Sequence, residues 1–193
     1  MAVFAEEAER GLQSGARSVW SSRSIEELDN MRGVLRWLVD RGDIERALAI
    51  TGNLDWFWDA VTQDREGWQW CRTVLAQAGA ASESLAYARV LNTAGAIGWN
   101  MGEFAESDRL LTEGVQLLRS LDEPRSLGQA LMNFGLTKLY LGDIEAAQPA
   151  MLESVRWMEQ ADDPWGLGLS LFGLGETFAE SDPEAARAAY QRS

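Results

Sequence analysis

Shifted by 40 positions, the C-terminal part of this chain falls onto itself. Leu91, Leu131 and Leu171 coincide, as do Gly95, Gly135 and Gly175. Gly102 meets Gly142, Glu113 meets Glu153, Val115 meets Val155, Asp122 meets Asp162 and Pro124 meets Pro164. Leu127-Gly128 lands on Leu167-Gly168, and Thr137 on Thr177. Apolar, charged and conformationally special residues all agree at one offset, which composition alone does not produce. A unit of this length cannot bury its apolar face by itself, so it must stack on its neighbours.

Within each unit the residues spell two helices. Apolar and small side chains recur at helical spacing over 86–101 and 126–141. Gly102-Glu103 and Gly142-Asp143 then break the chain, glycine accepting the left-handed conformation that ends a helix. Second helices are expected over 104–120 and 144–160. Asp163-Pro164 and Asp182-Pro183 read as helix starts, an aspartate to cap free N–H groups and a proline where no donor is needed. Gly95, Gly135 and Gly175 fall in mid-helix, where glycine costs about 1 kcal/mol relative to alanine. A cost placed three times at one position predicts close helix–helix approach, with Ser107, Ala147 and Ala186 early in the second helices facing that contact.

The run Leu131, Phe134-Gly135, Gly142-Asp143-Ile144, Ala147, Met151 resembles the tetratricopeptide (TPR) pattern, here with a period of 40 rather than 34. The resemblance implies an all-α fold, a right-handed α-solenoid of nine or ten antiparallel helices without a sheet. Three repeats are expected at 82–121, 122–161 and 162–193, the last incomplete. Residues 1–80 read as a degenerate version of the same architecture. Gly42-Asp43-Ile44-Glu45 repeats the Gly142-Asp143-Ile144-Glu145 turn, and Ala47 stands like Ala147. Ser24-Ile-Glu-Glu27 reads as a capping box opening a helix through Arg41, a second helix runs to about Val61, and a third from about Arg65 to Gln77. Residues 13–23 read as a loop after a short N-terminal helix.

The stretch from Glu27 to Asp43, with Leu54-Asp-Trp-Phe-Trp58 and Glu66-Gly-Trp-Gln-Trp70, is similar to the C-terminal sensor arm of LuxR-type and related bacterial signal-transduction ATPases. That resemblance implies a sensor or interaction role only. The chain has no Gly-x-x-x-x-Gly-Lys-Ser/Thr phosphate loop and no DNA-reading segment.

Composition narrows the chemistry. Seventeen basic against 30 acidic residues give a net charge of −13, which repels nucleic acid. The absence of histidine removes imidazole-based triads and metal sites. Cys71, the one cysteine, can form no intrachain disulfide and has no histidine to activate it. The adjacent pairs Glu6-Glu7, Glu26-Glu27 and Asp162-Asp163 fit capping and dipole roles rather than a catalytic pair, which geometry and not adjacency defines. No apolar run approaches the roughly 20 residues that span a bilayer. A cytoplasmic, non-enzymatic protein is expected, with neither cofactor nor metal and no membrane or direct nucleic-acid partner.

Binding is the remaining class. In tetratricopeptide arrays the first helix of each unit lines a concave groove, which implies Arg89, Asn92, Trp99 and Asn100 in the first unit. It implies Gln129, Met132, Leu136 and Tyr140 in the second, and Phe172 and Glu176 in the third. The expected ligand is a protein or peptide segment or a small effector. The alternative is a structural scaffold that assembles through its repeat ends. Ser193 aligns with Ser154, several residues before the counterpart helix ends at Gln160, so self-association is expected at the C-terminal end. Nine tryptophans are the other unusual feature, and core filling is their ordinary use. Trp56 and Trp58 point about 200° apart on a helix, so they cannot share one core.

Overall fold

A computed structural model describes residues 1–193 and contains helices and turns but no strand. Eleven α-helices are present, one more than the upper expectation. The chain divides into two compact units, Met1–Glu103 and Phe104–Ser193.

The first unit holds α1 (Ala2–Leu12), α2 (Arg17–Asp40), α3 (Ile44–Thr51), α4 (Asp55–Ala60), α5 (Asp64–Ala76), a short 3-10 turn (Gly79–Glu83) and α6 (Leu85–Asn100). Three sequence expectations fail here, each for a local reason. Residues 13–23 are not a loop, because α2 begins at Arg17. Its serines are satisfied inside the helix: Ser21 Oγ donates to Arg17 O at 2.9 Å and Ser22 Oγ to Ser18 O at 3.2 Å. Ser24 is no cap; it lies within α2 and is fully buried. The expected helix ending near Val61 is two helices, α3 and α4. The break follows the packing of α6, for a Cβ at Gly52 would lie 2.8 Å from Arg89 Cβ. Asn53 Nδ2 closes the end of α3 by donating to Ala49 O at 3.0 Å.

The two largest fully buried side chains of this unit are aromatic. Phe57 and Trp58 are both fully buried and meet edge to face, centroids 5.2 Å apart at 87°. Gly67 on α5 leaves the space that Trp58 occupies, and Gly11 on α1 does the same for Trp20. Trp56 points the other way, half-buried, with the Arg17 guanidinium 5.1 Å from its ring centroid. A charged clamp joins α2 to α5. Arg32 donates to both Glu66 oxygens, at 2.9 Å and 2.6 Å for the shortest pair, and to Asp29 at 2.9 Å.

The second unit is more regular: α7 (Phe104–Leu118), α8 (Pro124–Tyr140), α9 (Ile144–Gln160), α10 (Pro164–Phe178) and α11 (Pro183–Arg192). Its boundaries follow the sequence signals. Asp163 Oδ1 accepts from Gly166 N at 2.9 Å and Asp182 Oδ1 from Ala185 N at 3.0 Å, each before a proline at the first helical turn. Gly142 turns the chain at φ +79°. Asp122 and Asp162, matched at the 40-residue offset, both adopt left-handed backbone at φ +50° and +51°. Aspartate tolerates that conformation better than most residues.

Helix α9 is clamped between α8 and α10 by methionines set in glycine slots. A Cβ at Gly135 would lie 2.9 Å from Met151 Cε, and one at Gly173 only 2.6 Å from the same atom. One turn-pair further on, a Cβ at Gly128 would lie 3.0 Å from Met158 Cε, and one at Gly166 2.5 Å from its sulfur. Gly128 and Gly135, Met151 and Met158, and Gly166 and Gly173 are each seven residues apart, hence on one face of their helices. Ala147 O, 3.3 Å from the Gly135 position, supplies the close backbone approach that the recurrent glycine predicts. Buried hydroxyls run beside this contact: Ser154 Oγ donates to Gly128 O and lies 2.7 Å from Ser170 Oγ.

Gly135→Leu is therefore expected to destabilise the protein by about 2–3 kcal/mol, the cost of overpacking a filled core. The gain in side chain finds Met151 on one side and the α9 backbone on the other. Chemical denaturation is the measurement, and an unfolding free energy within about 0.5 kcal/mol of the parent contradicts the slot.

Candidate functional site

The expected groove residues fall in both compact units and are taken unit by unit. In Met1–Glu103, Asn92 is buried, at 9% exposure. Arg89 is half-buried, its Nη1 3.5 Å from Asn53 Oδ1, and Trp99 is half-buried as well. Asn100 alone of the four stands in solvent. Three of the four are thus wholly or partly withdrawn from solvent.

In Phe104–Ser193, two of the expected residues belong to the interior. Met132 is 6% exposed, and Leu136 packs on the buried cluster of Met151, Val155, Leu171 and Leu174. Leu136 lies on the side of α8 that meets α10, where its Cδ2 is 3.4 Å from the Gly173 Cβ position. Gln129 is half-buried. The remaining three are exposed and gather aromatic partners from second helices.

Tyr140 is 65% exposed, yet its ring stacks on Phe104 with centroids 4.4 Å apart at 28°. Phe172 is 50% exposed and lies 5.9 Å from Tyr190. The Tyr190 hydroxyl donates to Glu176 Oε1 at 2.6 Å. That hydrogen bond to a carboxylate, with the carboxylate's charge, holds the Tyr190 phenol above its ordinary range. Gly175 makes room for the Tyr190 ring, as Gly135 does for Met151. Leu141 and Ile144, 47% and 41% exposed, extend the apolar surface around the α8–α9 turn.

Phe104 and Tyr190 were not among the expected residues, because that expectation admitted only first helices. Their signal in sequence is faint: Tyr190 takes the place of Met151 and Phe104 that of Ile144, so each reads as a repeat-interior position. The result is an aromatic ledge in two parts, the Phe104–Tyr140 stack and the Phe172–Tyr190 pair with Glu176 beside it. The α7–α8 side of the ledge is stiffened by Lys138, whose Nζ lies 2.8 Å from Asp108.

Titration behaviour is perturbed most in the first unit. Burial and the charges of Glu9, Asp59 and Asp64 push the Asp55 carboxyl up to about 7. Burial also raises Asp64, with Asp59 adding, and raises the Cys71 thiol, with Asp55 adding, so the thiol stays protonated and inert. Arg17 answers only part of this charge, pairing with Asp59 at 2.7 Å.

The whole chain matches solved helical-repeat structures. The crystal structure of BtubC (BKLC) from P. vanneervenii superposes with a TM-score of 0.72 at 17% identity, covering 97% of this chain and 84% of that one. The crystal structure of a Podosopora anserina putative kinesin light chain with nearly identical TPR-like repeats gives a TM-score of 0.67 at 15% identity, over 97% and 90%. No family model matches the sequence, and no curated protein does. The fold is thus an all-α array of TPR-like repeats, of the α-solenoid class. No helix is long and apolar enough to cross a membrane.

Asp55 yields a pH prediction. Its folded value near 7 exceeds the ordinary 3.8, so between those values the folded state binds more protons than the unfolded one. Stability must then fall as pH rises through that window. Asp55→Asn is expected to raise the melting temperature at neutral pH, with a gain that shrinks toward the lower end. A gain independent of pH shows that the carboxyl is not the origin.

Proposed function

We propose that this chain is a non-enzymatic protein- or peptide-binding module that serves as the sensor or interaction arm of a bacterial signalling or transcriptional regulator in the cytoplasm. The observation that carries the binding role is the ledge of Tyr140, Phe172 and Glu176, whose aromatic rings stay exposed although paired with Phe104 and Tyr190. Tyrosine and phenylalanine in rigid pairs supply contact area at little entropic cost on binding, which is why they anchor interfaces. TPR-like arrays are suited to this use because each helix pair adds surface to a continuous face. The regulator context rests on the sensor-arm resemblance of residues 27–70.

The test is selection of peptides from a random library on the intact chain, followed by affinity measurement on the selected sequences. Tyr140→Ala/Phe172→Ala is expected to weaken those peptides at least about tenfold while the helical circular dichroism stays unchanged. Peptides that bind the double variant as well as the parent refute the ledge as the site.

A second reading, a scaffold assembling through its repeat ends, is favoured by one feature. A largely apolar groove of about 370 Å³ opens on the last helix pair, between Ala179, Pro183, Ala186 and Tyr190. If it mediates assembly, sedimentation at micromolar concentration should show oligomers that Ala186→Glu dissolves. A strictly monomeric parent excludes that reading.

A further inference from the structure

The first unit contains ten arginines, and nearly all are spoken for. Arg17, Arg32 and Arg46 pair with Asp59, Glu66 and Asp43. Arg89 reaches Asn53. Arg23, Arg41 and Arg72 lie over the rings of Trp20, Trp37 and Trp68. Arg10, Arg36 and Arg65 are left; Arg36 acts on Glu66 through its charge, and together with Arg65 it lines one groove. It is open, about 470 Å³ in volume, and lies between α2 and α5, with Gln63, Gln69 and Trp70 beside the two arginines.

Glu66 also lines this groove and is paired with Arg32. Two nitrogens of Arg32 grip it, the Trp70 indole donates to it at 3.4 Å, and the Arg32 hydrogen bond foremost holds its carboxyl below the usual range. Asp29 is taken by the same arginine. Asp64, next to Arg65 in sequence, is not part of the lining. The lining itself therefore carries two arginines against one carboxylate, on a chain whose net charge is −13. At physiological salt, charges beyond about 8 Å are largely screened, so a ligand in the groove feels this local surplus and not the distant acidic surface.

We infer that the α2–α5 groove is a second binding surface, separate from the aromatic ledge, and that its occupant is an acidic peptide segment of a protein partner. Arg36 and Arg65 would each meet a side-chain carboxylate, the planar guanidinium matching it in bidentate fashion. Gln63 and Gln69 offer donors and acceptors to the peptide backbone. Trp70, held by its bond to Glu66, forms an aromatic wall. The arginines are exposed, so affinity is modest and falls with ionic strength.

Fluorescence anisotropy with a labelled Glu-rich decapeptide tests this. The intact chain is expected to bind it, and to ignore the matching Gln-rich peptide. R36E/R65E is expected to lose at least about tenfold in affinity, about 1.4 kcal/mol. R10E/R46E carries the same change of net charge in the same unit and is expected to lose less than about twofold. Circular dichroism checks that each variant folds, and R36Q/R65Q, with a smaller loss in the same direction, serves if the reversed pair does not. The Tyr140→Ala/Phe172→Ala protein is expected to bind the Glu-rich peptide normally, so failure of the ledge and failure of this groove are told apart. Equal losses in the two charge-reversed proteins, absence of binding, or binding only when the carboxylates are replaced by phosphoserine each overturn the inference.

Discussion

The second unit depends on methionines seated in glycine slots. Helix α9 can lie close to both α8 and α10 because Gly128, Gly135, Gly166 and Gly173 remove the side chains that would hold them apart. Met151 and Met158 then fill the gaps from one side, both fully buried. Methionine suits this position, since an unbranched thioether threads a narrow slot that a β-branched residue could not enter. The seven-residue spacing shared by all three helices makes the two contacts a single stripe. Glycine's intrinsic helix cost is offset by the packing it permits, and the buried Ser154–Ser170 pair adds a polar contact without leaving either hydroxyl unmet.

That stripe also decides what reaches the surface. With Leu136 drawn inward by the contact with α9 and α10 and Met132 buried as well, the exposed aromatic part of the first helices is carried by Tyr140 and Phe172. Each is steadied by an aromatic from a second helix, so the rings are preorganised rather than loose. Position 190 serves both ends of this arrangement: the ring takes the place that methionine takes at 151, and the hydroxyl reaches Glu176. Core packing and the exposed aromatic surface are thus parts of one construction.

The first unit reaches stability by different means. Its fully buried Phe57 and Trp58 provide the core, and the Arg32–Glu66 clamp ties α2 to α5. Against these stands a concentration of carboxylates around Asp55, whose partial neutralisation is the response expected of buried like charges. The same clamp that joins the helices pairs Glu66 with Arg32, and Arg36 and Arg65 outnumber that carboxylate in the groove beside it.

What the sequence determined by itself is the periodic part. Turns and caps depend on a few consecutive residues, so Gly142, Asp163-Pro164 and Asp182-Pro183 marked their boundaries without knowledge of the fold. The recurrent glycine announced close approach for the same reason: only a neighbouring helix explains its cost. Where local signals were equivocal they misled. Serines in 18–24 looked like loop and cap residues, and whether they bond within a helix or end one is settled by Trp20 finding Gly11 across the interface. The break at Gly52 came from α6, distant in sequence. The candidate site was half legible: Tyr140, Phe172 and Glu176 follow from the repeat, whereas the burial of Met132 and Leu136 and the arrival of Phe104 and Tyr190 do not. Helical periodicity places a residue on a face, but which face is covered depends on the neighbouring helices, and that is a tertiary property. The pairing of arginines is of the same kind, for a cation's partner lies wherever the fold brings a carboxylate within reach.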